Sequence, residues 1–308
     1  MNIFVRLLKY IAPHKAWAAL AMAMMIFGTA FDLISPYLLK RIFDDGIAES
    51  NIRAILLFTA LLAVGQILKS VSMYVQNVVQ ESIGQKVVFQ LREELYAKLQ
   101  RLSFRYYDRA QTGQLMSRIT GDIDSVKNFV GFGAMSLLTG GLTFVGTVAF
   151  MFAMQWKLTL LCLIPIPLLI AALLKFNRKV GSAWGDIREQ MGRLTAILQE
   201  NISGIRVVKA FAREGKEREK FAKSNEQNYD SNMTRAKLEA RSFPAMHFYG
   251  GIVFLLMAWI GSVFVVNEEM SLGTLMAFQW YAWGLIWPLN MLGWLINILQ
   301  QAVKAAPR

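Results

Sequence analysis

Cysteine and histidine are nearly absent from this 308-residue chain. Cys162 is the only cysteine, which excludes an internal disulfide and a cysteine metal cluster. His14 and His247 are the only histidines, which excludes a histidine-rich metal site. Charge is also scarce: 18% of the residues are charged, below the quarter typical of soluble domains, while 55% are hydrophobic and the mean hydropathy is +0.37. This balance excludes a disordered chain and indicates an integral membrane protein.

Six apolar stretches are long enough to cross a bilayer, which requires about 20 residues. The predicted spans are residues 16–39, 54–76, 131–153, 158–175, 245–266 and 273–299. Short connections follow the first, third and fifth spans, whereas the loops 77–130 and 176–244 are long. The pattern predicts an all-α membrane protein with six transmembrane helices.

The positive charges predict the orientation of these spans. The net charge is +12, and most of the 33 Lys and Arg residues lie in the two tails and the two long loops. Because Lys and Arg accumulate in cytoplasmic segments, we expect both termini and both long loops to be cytoplasmic. The same loops carry many Asp and Glu residues, so a nucleic-acid partner is not expected.

The N-terminal residues predict a helix that lies on the membrane surface. Within residues 3–11 the apolar side chains share one helical face, with Arg6 and Lys9 off that face. Pro13 separates this amphipathic elbow, residues 1–13, from the first span. The first apolar run is too long for a signal peptide, so we expect no cleaved signal.

The long loops have the periodicity of helices. In the first loop Val88, Leu91, Leu95 and Leu99 recur at spacings of three and four, which predicts one helix from Arg53 to about Ala110, roughly 85 Å long. The second loop repeats the pattern. Each loop has a helix break at its tip, around Gly113 and at Ser203-Gly204, and we expect Gly215 to end the second tip. A short transverse helix at each tip would dock in a groove on a partner.

At this level of detail the chain resembles a known family. The stretches QLREELYAKLQRLSFRYYDRAQTGQLMSRITGDIDSV (90–126) and ENISGIRVVKAFAREGKEREKF (200–221) are similar to the two cytoplasmic loops of ABC exporters. So are PYLLKRIFDDGI (36–47) and WPLNMLGWLINILQQA (287–302). The resemblance covers the whole chain. It implies a bacterial multidrug-type half-transporter in the plasma membrane, which forms a domain-swapped dimer with a second copy or a homologous half.

The resemblance also implies that the two tips are coupling helices that contact nucleotide-binding domains. The residues that would make this contact are Thr112, Gly113, Leu115, Ser117, Arg118, Asp122, Gly204, Val208, Lys209, Phe211 and Glu214. The second loop would reach the partner subunit's domain. The family's transmembrane domain would occupy residues 14–302, and residues 303–308 would begin a linker to a nucleotide-binding domain.

The sequence contains no phosphate-binding loop of the form G-x-x-x-x-G-K-[ST]. The one Gly-Lys pair, Gly215-Lys216, lacks the upstream glycine and is followed by Glu217. We therefore expect no catalytic residue, cofactor or metal in this chain. ATP and Mg²⁺ are expected in a nucleotide-binding domain outside it, and we expect this chain to be a transmembrane fragment of a fused transporter.

Two formal charges lie well inside the predicted spans, where ionisable groups mark functional sites. Asp32 and Lys69 are expected to face a water-filled cavity. A direct salt bridge between them is not expected, because counting from Lys40 and Arg53 places them at depths of about 12 Å and about 24 Å. The alternatives are that Lys69 snorkels toward the interface or lies in a protein contact.

The sixth span carries an aromatic and methionine stripe. Its candidate cavity residues are Met276, Trp280, Trp283, Trp287 and Met291, and Trp294 and Ile298 continue the stripe. Such a surface suits contact with varied apolar ligands. The alternatives are an interfacial aromatic belt or a lipid-facing surface. The small residues of the third span predict close helix packing, and Pro165, Pro167, Pro244 and Pro288 predict bends.

These features favour the membrane half of an ATP-driven exporter of hydrophobic or amphipathic small molecules by alternating access. An ion-coupled secondary transporter is the first alternative, but it predicts broken midplane helices and several intramembrane ionisable groups. A sensor or anchor module without transport is the second, and it would not require a transverse helix on each of two loops.

Overall fold

The computed structural model describes residues 12–103, 105, 121 and 123–305, and every regular element in these ranges is helical. The predicted elbow at 3–11 and the tip of the first loop lie outside the described residues. A turn of 3₁₀-helix, Ala12–His14, precedes the first long helix. The long helices are α1 (Lys15–Arg41), α2 (Ile52–Gln100), α4 (Ala134–Met154), α6 (Ile166–Ser203), α8 (Glu214–Val266) and α9 (Leu272–Ala305). The short ones are α3 (Ile123–Asn128), α5 (Trp156–Leu163) and α7 (Ile205–Ala210).

Five helical segments of the described chain are long and apolar enough to cross a membrane. They are Ala12–Ile47, Ile52–Gln100, Gly131–Met154, Trp156–Ser203 and Glu214–Val266, and they contain the first five predicted spans. The sixth predicted span lies within α9, a 34-residue helix. At 1.5 Å per residue α9 is about 50 Å long, which exceeds the roughly 30 Å of a bilayer core.

Helix α1 does not end where the first span was expected to end. Beyond Arg41 it continues as a π-helix, Ile42–Ile47, and only residues 48–51 separate it from α2. Asn51 caps α2, because its side-chain oxygen accepts hydrogen bonds from the backbone N–H groups of Arg53 and Ala54. The α1–α2 pair is therefore a tight antiparallel hairpin.

Helix α2 is a single 49-residue helix, about 74 Å long, but it is shorter than predicted. We expected it to reach Ala110, and it ends at Gln100. The N–H groups of Arg101 and Leu102 bond to the carbonyls of Lys98 and Leu99, three residues back. This tightening to a 3₁₀ geometry is a common way for a helix to end, and the apolar repeat continues past it to Leu102.

The prolines have two different effects. Pro165 interrupts the fourth span, since α5 ends at Leu163 and α6 begins at Ile166 with Pro165 at its N-cap. Pro244 and Pro288 lie inside α8 and α9, and both helices continue through them. Among these, a complete break occurs only where Pro165 and Pro167 stand two residues apart.

The chain divides into two compact units, one formed by residues 1–162 and 254–308 and the other by residues 163–253. In the first unit α1 packs against α2, α4 and α9, and α9 also packs against α4. Close contacts occur at glycines: a Cβ on Gly146 of α4 would overlap Leu33, and one on Gly284 of α9 would overlap Thr147. The predicted close packing of the third span is thus confirmed at Gly146.

In the second unit α6 and the first part of α8 contribute paired side chains. The rings of Phe176 and Phe243 lie 5.3 Å apart, and the guanidinium of Arg235 lies 4.8 Å from the centre of the Trp184 ring. Nearer the tip, Lys220 Nζ donates to a carboxylate oxygen of Glu200 at 2.7 Å, and Glu200 raises the pKa of Lys220. The two helices and the short α7 between them form a helical hairpin.

Candidate functional site

The two charges inside the membrane spans form an ion pair. Lys69 Nζ donates to Asp32 Oδ1 at 2.6 Å, and 48% of the Asp32 side chain is exposed against 26% of Lys69. The expectation that these residues would be too far apart is wrong. Asp32 lies 15 residues before the end of the π-helix at Ile47, and Lys69 lies 17 residues after the start of α2 at Ile52. Measured from the true helix ends, the two side chains are at nearly equal depth.

Other contacts confirm this register of the hairpin. Near its open end the ammonium of Lys86 lies 5.5 Å from the centre of the Trp17 ring. Near its closed end a Cβ on Gly46 would overlap Ile55. Asp32 stands close to the middle of the helical run Lys15–Ile47, so the ion pair lies at mid-length of α1.

The tryptophan stripe of α9 is exposed in the chain. The exposed fractions of Trp280, Trp283 and Trp287 are 60%, 61% and 60%, and Met276 and Met291 at the stripe's edges are half-buried. The ring of Trp283 meets Phe254 edge-on at 5.5 Å. The opposite face of α9 is buried, with Phe278, Tyr281 and Leu285 in the core. Three large rings therefore point away from the described chain and are available to a ligand, a partner or lipid.

The tip of the second loop is a short helix with an apolar surface. Gly204 ends α6, and its N–H donates to the carbonyl of Glu200 at 2.8 Å. The six-residue α7 follows at once, and Val207 and Phe211 are 60% and 73% exposed. Exposed apolar patches of this kind mark interaction sites. The tip contains the short helix that the sequence predicts, and exposed apolar side chains lie on it and directly after it.

The end of this tip differs from the prediction. Gly215 lies inside α8, and the chain turns instead at Ala212, which adopts a left-handed conformation with φ of 47°. The N–H of Arg213 bonds back to the carbonyl of Val208 at 2.9 Å. A non-glycine residue thus makes the turn that sequence rules assign to glycine.

An ion pair closes the base of the tip. Lys209 Nζ donates to Glu214 Oε1 at 2.9 Å, and this hydrogen bond lowers the pKa of Glu214 below its ordinary range. The charged pair is therefore present at neutral pH and is lost only as the pH falls through that lowered pKa. Val208 is half-buried beside it. The predicted contact residues Gly204, Val208, Lys209, Phe211 and Glu214 thus lie within the eleven residues that run from the end of α6 through α7 to the start of α8.

A third feature, which the sequence reasoning missed, joins the connection after α1 to the start of α9. Asp44 Oδ2 accepts from the Ser271 hydroxyl at 2.6 Å, and Asp44 Oδ1 accepts from the N–H of Gly273 at 3.0 Å. Ser271 itself caps α9 by accepting from the N–H of Thr274 at 3.1 Å. A neighbouring tie links Lys157 Nζ to Glu269 Oε2 at 2.9 Å. These contacts join the three short connections, which follow α1, α4 and α8, at one end of the first unit.

The comparisons with known proteins agree with this geometry. The family model described as "ABC transporter transmembrane region" matches residues 18–289. The chain belongs to this family. It is an ABC exporter transmembrane domain. The helices of the described residues have the ABC exporter fold.

Relatives of this ABC transmembrane domain align along the whole chain. It is 31% identical over 311 residues to an uncharacterized ABC transporter ATP-binding protein of Bacillus subtilis, covering 100% of this chain and 53% of the relative. It is 32% identical over 308 residues to an ATP-dependent lipid A-core flippase of Syntrophus aciditrophicus, covering 100% and 51%. It is 28% identical to a multidrug resistance-like ATP-binding protein of Buchnera aphidicola, covering 95% and 51%.

The ABC domain spans about half the length of these curated relatives. It is a multi-pass membrane protein. The structure brings Asp32 and Lys69 together as an ion pair, and it places the second-tip candidates at the α7 end of α6. The first-tip candidates, Thr112, Gly113, Leu115, Ser117, Arg118 and Asp122, lie outside the described residues, as do the side chains of Trp294 and Ile298.

One signal in the sequence pointed to Asp44. The acidic pair Asp44-Asp45 directly precedes the first short connection, and Ser271 precedes an apolar helix as an N-cap residue does. Asp45 forms an ion pair with Arg41, four residues earlier, with 2.9 Å between Arg41 Nη1 and Asp45 Oδ2. Asp44 is therefore the acid available to a partner elsewhere in the chain.

Proposed function

We propose that this domain is the membrane-spanning half of an ATP-driven exporter that moves hydrophobic or amphipathic compounds out of the cytoplasm by alternating access. The long loops and both termini are cytoplasmic in this proposal, because they hold most of the positive charge. The membrane is the bacterial plasma membrane, in keeping with the bacterial relatives.

The observation that carries the proposal is the uncovered tip formed by α7. Val207 on the six-residue α7 and Phe211 directly after it are exposed at the end of a hairpin about 57 Å long on its α6 side. A nucleotide-binding domain with an apolar groove fits this surface. Movement of that domain on ATP binding is then passed along α6 and α8 toward the spans.

ATP hydrolysis belongs, in this proposal, to a nucleotide-binding domain outside these 308 residues. The relatives are named ATP-binding proteins and are about twice as long as this chain. Two copies of the domain, or one copy and a homologous half, form the transporter, with the second loop of each reaching the other's nucleotide-binding domain. ATP and Mg²⁺ are bound there, and no metal or catalytic group is assigned to this chain.

The test uses two proteins in liposomes: these 308 residues alone, and the same residues joined to or co-expressed with their ATPase domain. We expect no ATP hydrolysis above a blank from the first. From the second we expect hydrolysis and ATP-dependent movement of an amphipathic dye. ATP turnover that follows the isolated chain through purification would contradict the proposal, and so would dye movement driven by a proton or sodium gradient without ATP.

A further inference from the structure

The Asp32–Lys69 pair joins α1 to a part of α2 that carries further exposed polar side chains. Gln66 lies one turn before Lys69 and Asn77 two turns after it on the same side of the helix, whereas Ser70 lies one turn after Gln66; all three are exposed. Only the Ser70 hydroxyl is seen to be satisfied within the helix, by donating to the carbonyl of Gln66 at 2.8 Å. Polar side chains at this depth are costly against lipid, so this part of α2 requires water, protein or a polar ligand.

The charges of the site select the net charge of a ligand. Asp32 and Lys69 together carry no net charge, and each is partly exposed. A purely cationic or purely anionic ligand would leave one uncompensated charge inside the membrane, which is strongly unfavourable. A ligand with one ammonium and one phosphate inserts between the two side chains, and every charge then keeps an opposite neighbour.

The hydrogen-bonding groups are complementary in the same way. The carboxylate of Asp32 only accepts hydrogen bonds and the ammonium of Lys69 only donates them. A ligand ammonium therefore bonds to Asp32, and a ligand phosphate bonds to Lys69. The amide of Gln66, one turn before Lys69, can bond the rest of a polar head, and the exposed side chain of Met73, one turn after Lys69, borders the same region.

We propose that the Asp32–Lys69 pair recognises the zwitterionic head group of an amphiphile, with the ammonium on Asp32, the phosphate on Lys69 and the apolar tail in the membrane. This rests on the proposed function, since it names the class of compound that the exporter would bind. The internal ion pair opens on binding and reforms on release, so the site carries no net charge at either stage.

The first experiment compares four probes with the wild-type chain in a neutral maltoside detergent. Three are single-tail amphiphiles of equal tail length that carry a phosphoethanolamine head, a phosphoglycerol head or a primary amine. The fourth is phosphoethanolamine without a tail. We expect the zwitterionic amphiphile to bind at least tenfold more tightly than each of the others. Equal binding of the three amphiphiles would overturn the proposal, as would equally tight binding of the tailless head group.

The second experiment assigns the preference to the pair. Asp32→Asn and Lys69→Gln should each reduce the preference for the zwitterion to less than threefold, and the exchange variant Asp32→Lys with Lys69→Asp should restore it. Glu81→Gln is the matched control, because Glu81 lies on α2 like Lys69 and forms an ion pair of the same 2.6 Å length with Lys127 of α3. A preference that survives both single changes in folded protein would overturn the proposal.

The two proposals fail in different ways. In liposomes with the full-length transporter, ATP-dependent export of any of the three amphiphiles supports the exporter function whichever head group is preferred. If export occurs but the zwitterion is not preferred, the head-group assignment is wrong and the exporter stands. If no amphiphile moves on ATP addition, the proposed function itself is wrong.

Discussion

At the residue scale, Asp44 joins two connections that are 227 residues apart in the chain. Its carboxylate satisfies the Ser271 hydroxyl and the N–H of Gly273 at the start of α9. Asp44→Ala should therefore destabilise the protein by about 1 kcal/mol, with a range of about 0.5–2, because helix-capping groups contribute this much. The measurement is the thermal unfolding midpoint in detergent.

Asp45→Asn is the control for Asp44→Ala. Asp45 is the adjacent acid, but it pairs with Arg41 within one helical run, and both side chains are more than a third exposed. Such pairs contribute little, so the midpoint of this variant should hardly change. If both variants lower the unfolding midpoint equally, the hydrogen bonds from Asp44 to the start of α9 make no specific contribution to stability.

The glycine at the same junction gives an independent test. A Cβ on Gly273 would overlap the backbone oxygen of Lys40 and the carboxylate of Asp44, so Gly273→Ala requires the backbone to shift. We expect a lower unfolding midpoint. Gly28→Ala on α1 is the matched change, since its Cβ would have no neighbour within 4 Å and alanine favours a helix by about 0.5–1 kcal/mol. If Gly273→Ala is as stable as Gly28→Ala, the close approach is not real.

The pairing of Asp32 with Lys69 shows what residue-level reasoning can and cannot predict. Both residues were identified as intramembrane charges from their types and places alone. Their distance was predicted wrongly, because the first helix was assumed to end near Lys40, and the helical run continues through a six-residue π-helix to Ile47. Counting outward from the short connection at 48–51 would have placed them side by side.

At the element scale, we expect the tip of the second loop to couple the domain to its ATPase domain and to contribute little to the stability of the fold. Phe211 is 73% exposed, so Phe211→Ala removes little packing within the chain. In the full-length transporter we expect an unchanged unfolding midpoint and basal ATPase rate, and at least a severalfold loss of ATPase stimulation by a transported compound. The ATPase rate with and without that compound measures the effect.

Tyr229→Ala serves as the matched variant for the tip. Tyr229 is an exposed aromatic of α8, 59% exposed, that lies away from α7. Stimulation should be normal in this variant. Normal stimulation in Phe211→Ala as well would mean that the apolar side of the tip is not the contact with the ATPase domain.

Helix ends were harder to predict than helix existence. The apolar repeat showed that the loops are helical, and α2, α6 and α8 confirm it for the described residues. It could not show that α2 ends at Gln100, because this end depends on local backbone hydrogen bonds and the repeat continues past it. It could not identify Ala212 as the turn of the second tip, since propensity favours glycine there.

At the scale of the whole molecule, the exposed face of α9 predicts a water-filled space. If Trp283 borders a cavity shared by two subunits, Trp283→Cys should react with a charged thiol reagent that does not enter lipid. Trp259→Cys on α8 is the comparison, as Trp259 is 68% exposed and we expect it to face lipid. The reaction rates, followed by mass spectrometry, should differ at least tenfold.

The background of this measurement is simple because Cys162 is the only native cysteine and is fully buried. The wild-type protein should therefore remain unlabelled. Rates that are equally slow at both introduced positions would show that the tryptophan face of α9 contacts lipid, and candidates for substrate contact would then exclude Trp280, Trp283 and Trp287.

Helix α2 has a mechanical consequence that follows from its length alone. It is held at one end by the close contact of Gly46 with Ile55, and it runs without interruption to Gln100. If that contact acts as a fulcrum, Lys69 lies about 21 Å from it and Gln100 about 68 Å from it. A rigid rod of these proportions moves about three times as far at its end as at the ion pair. Opening the pair by about 3 Å therefore corresponds to a swing of about 10 Å at Gln100.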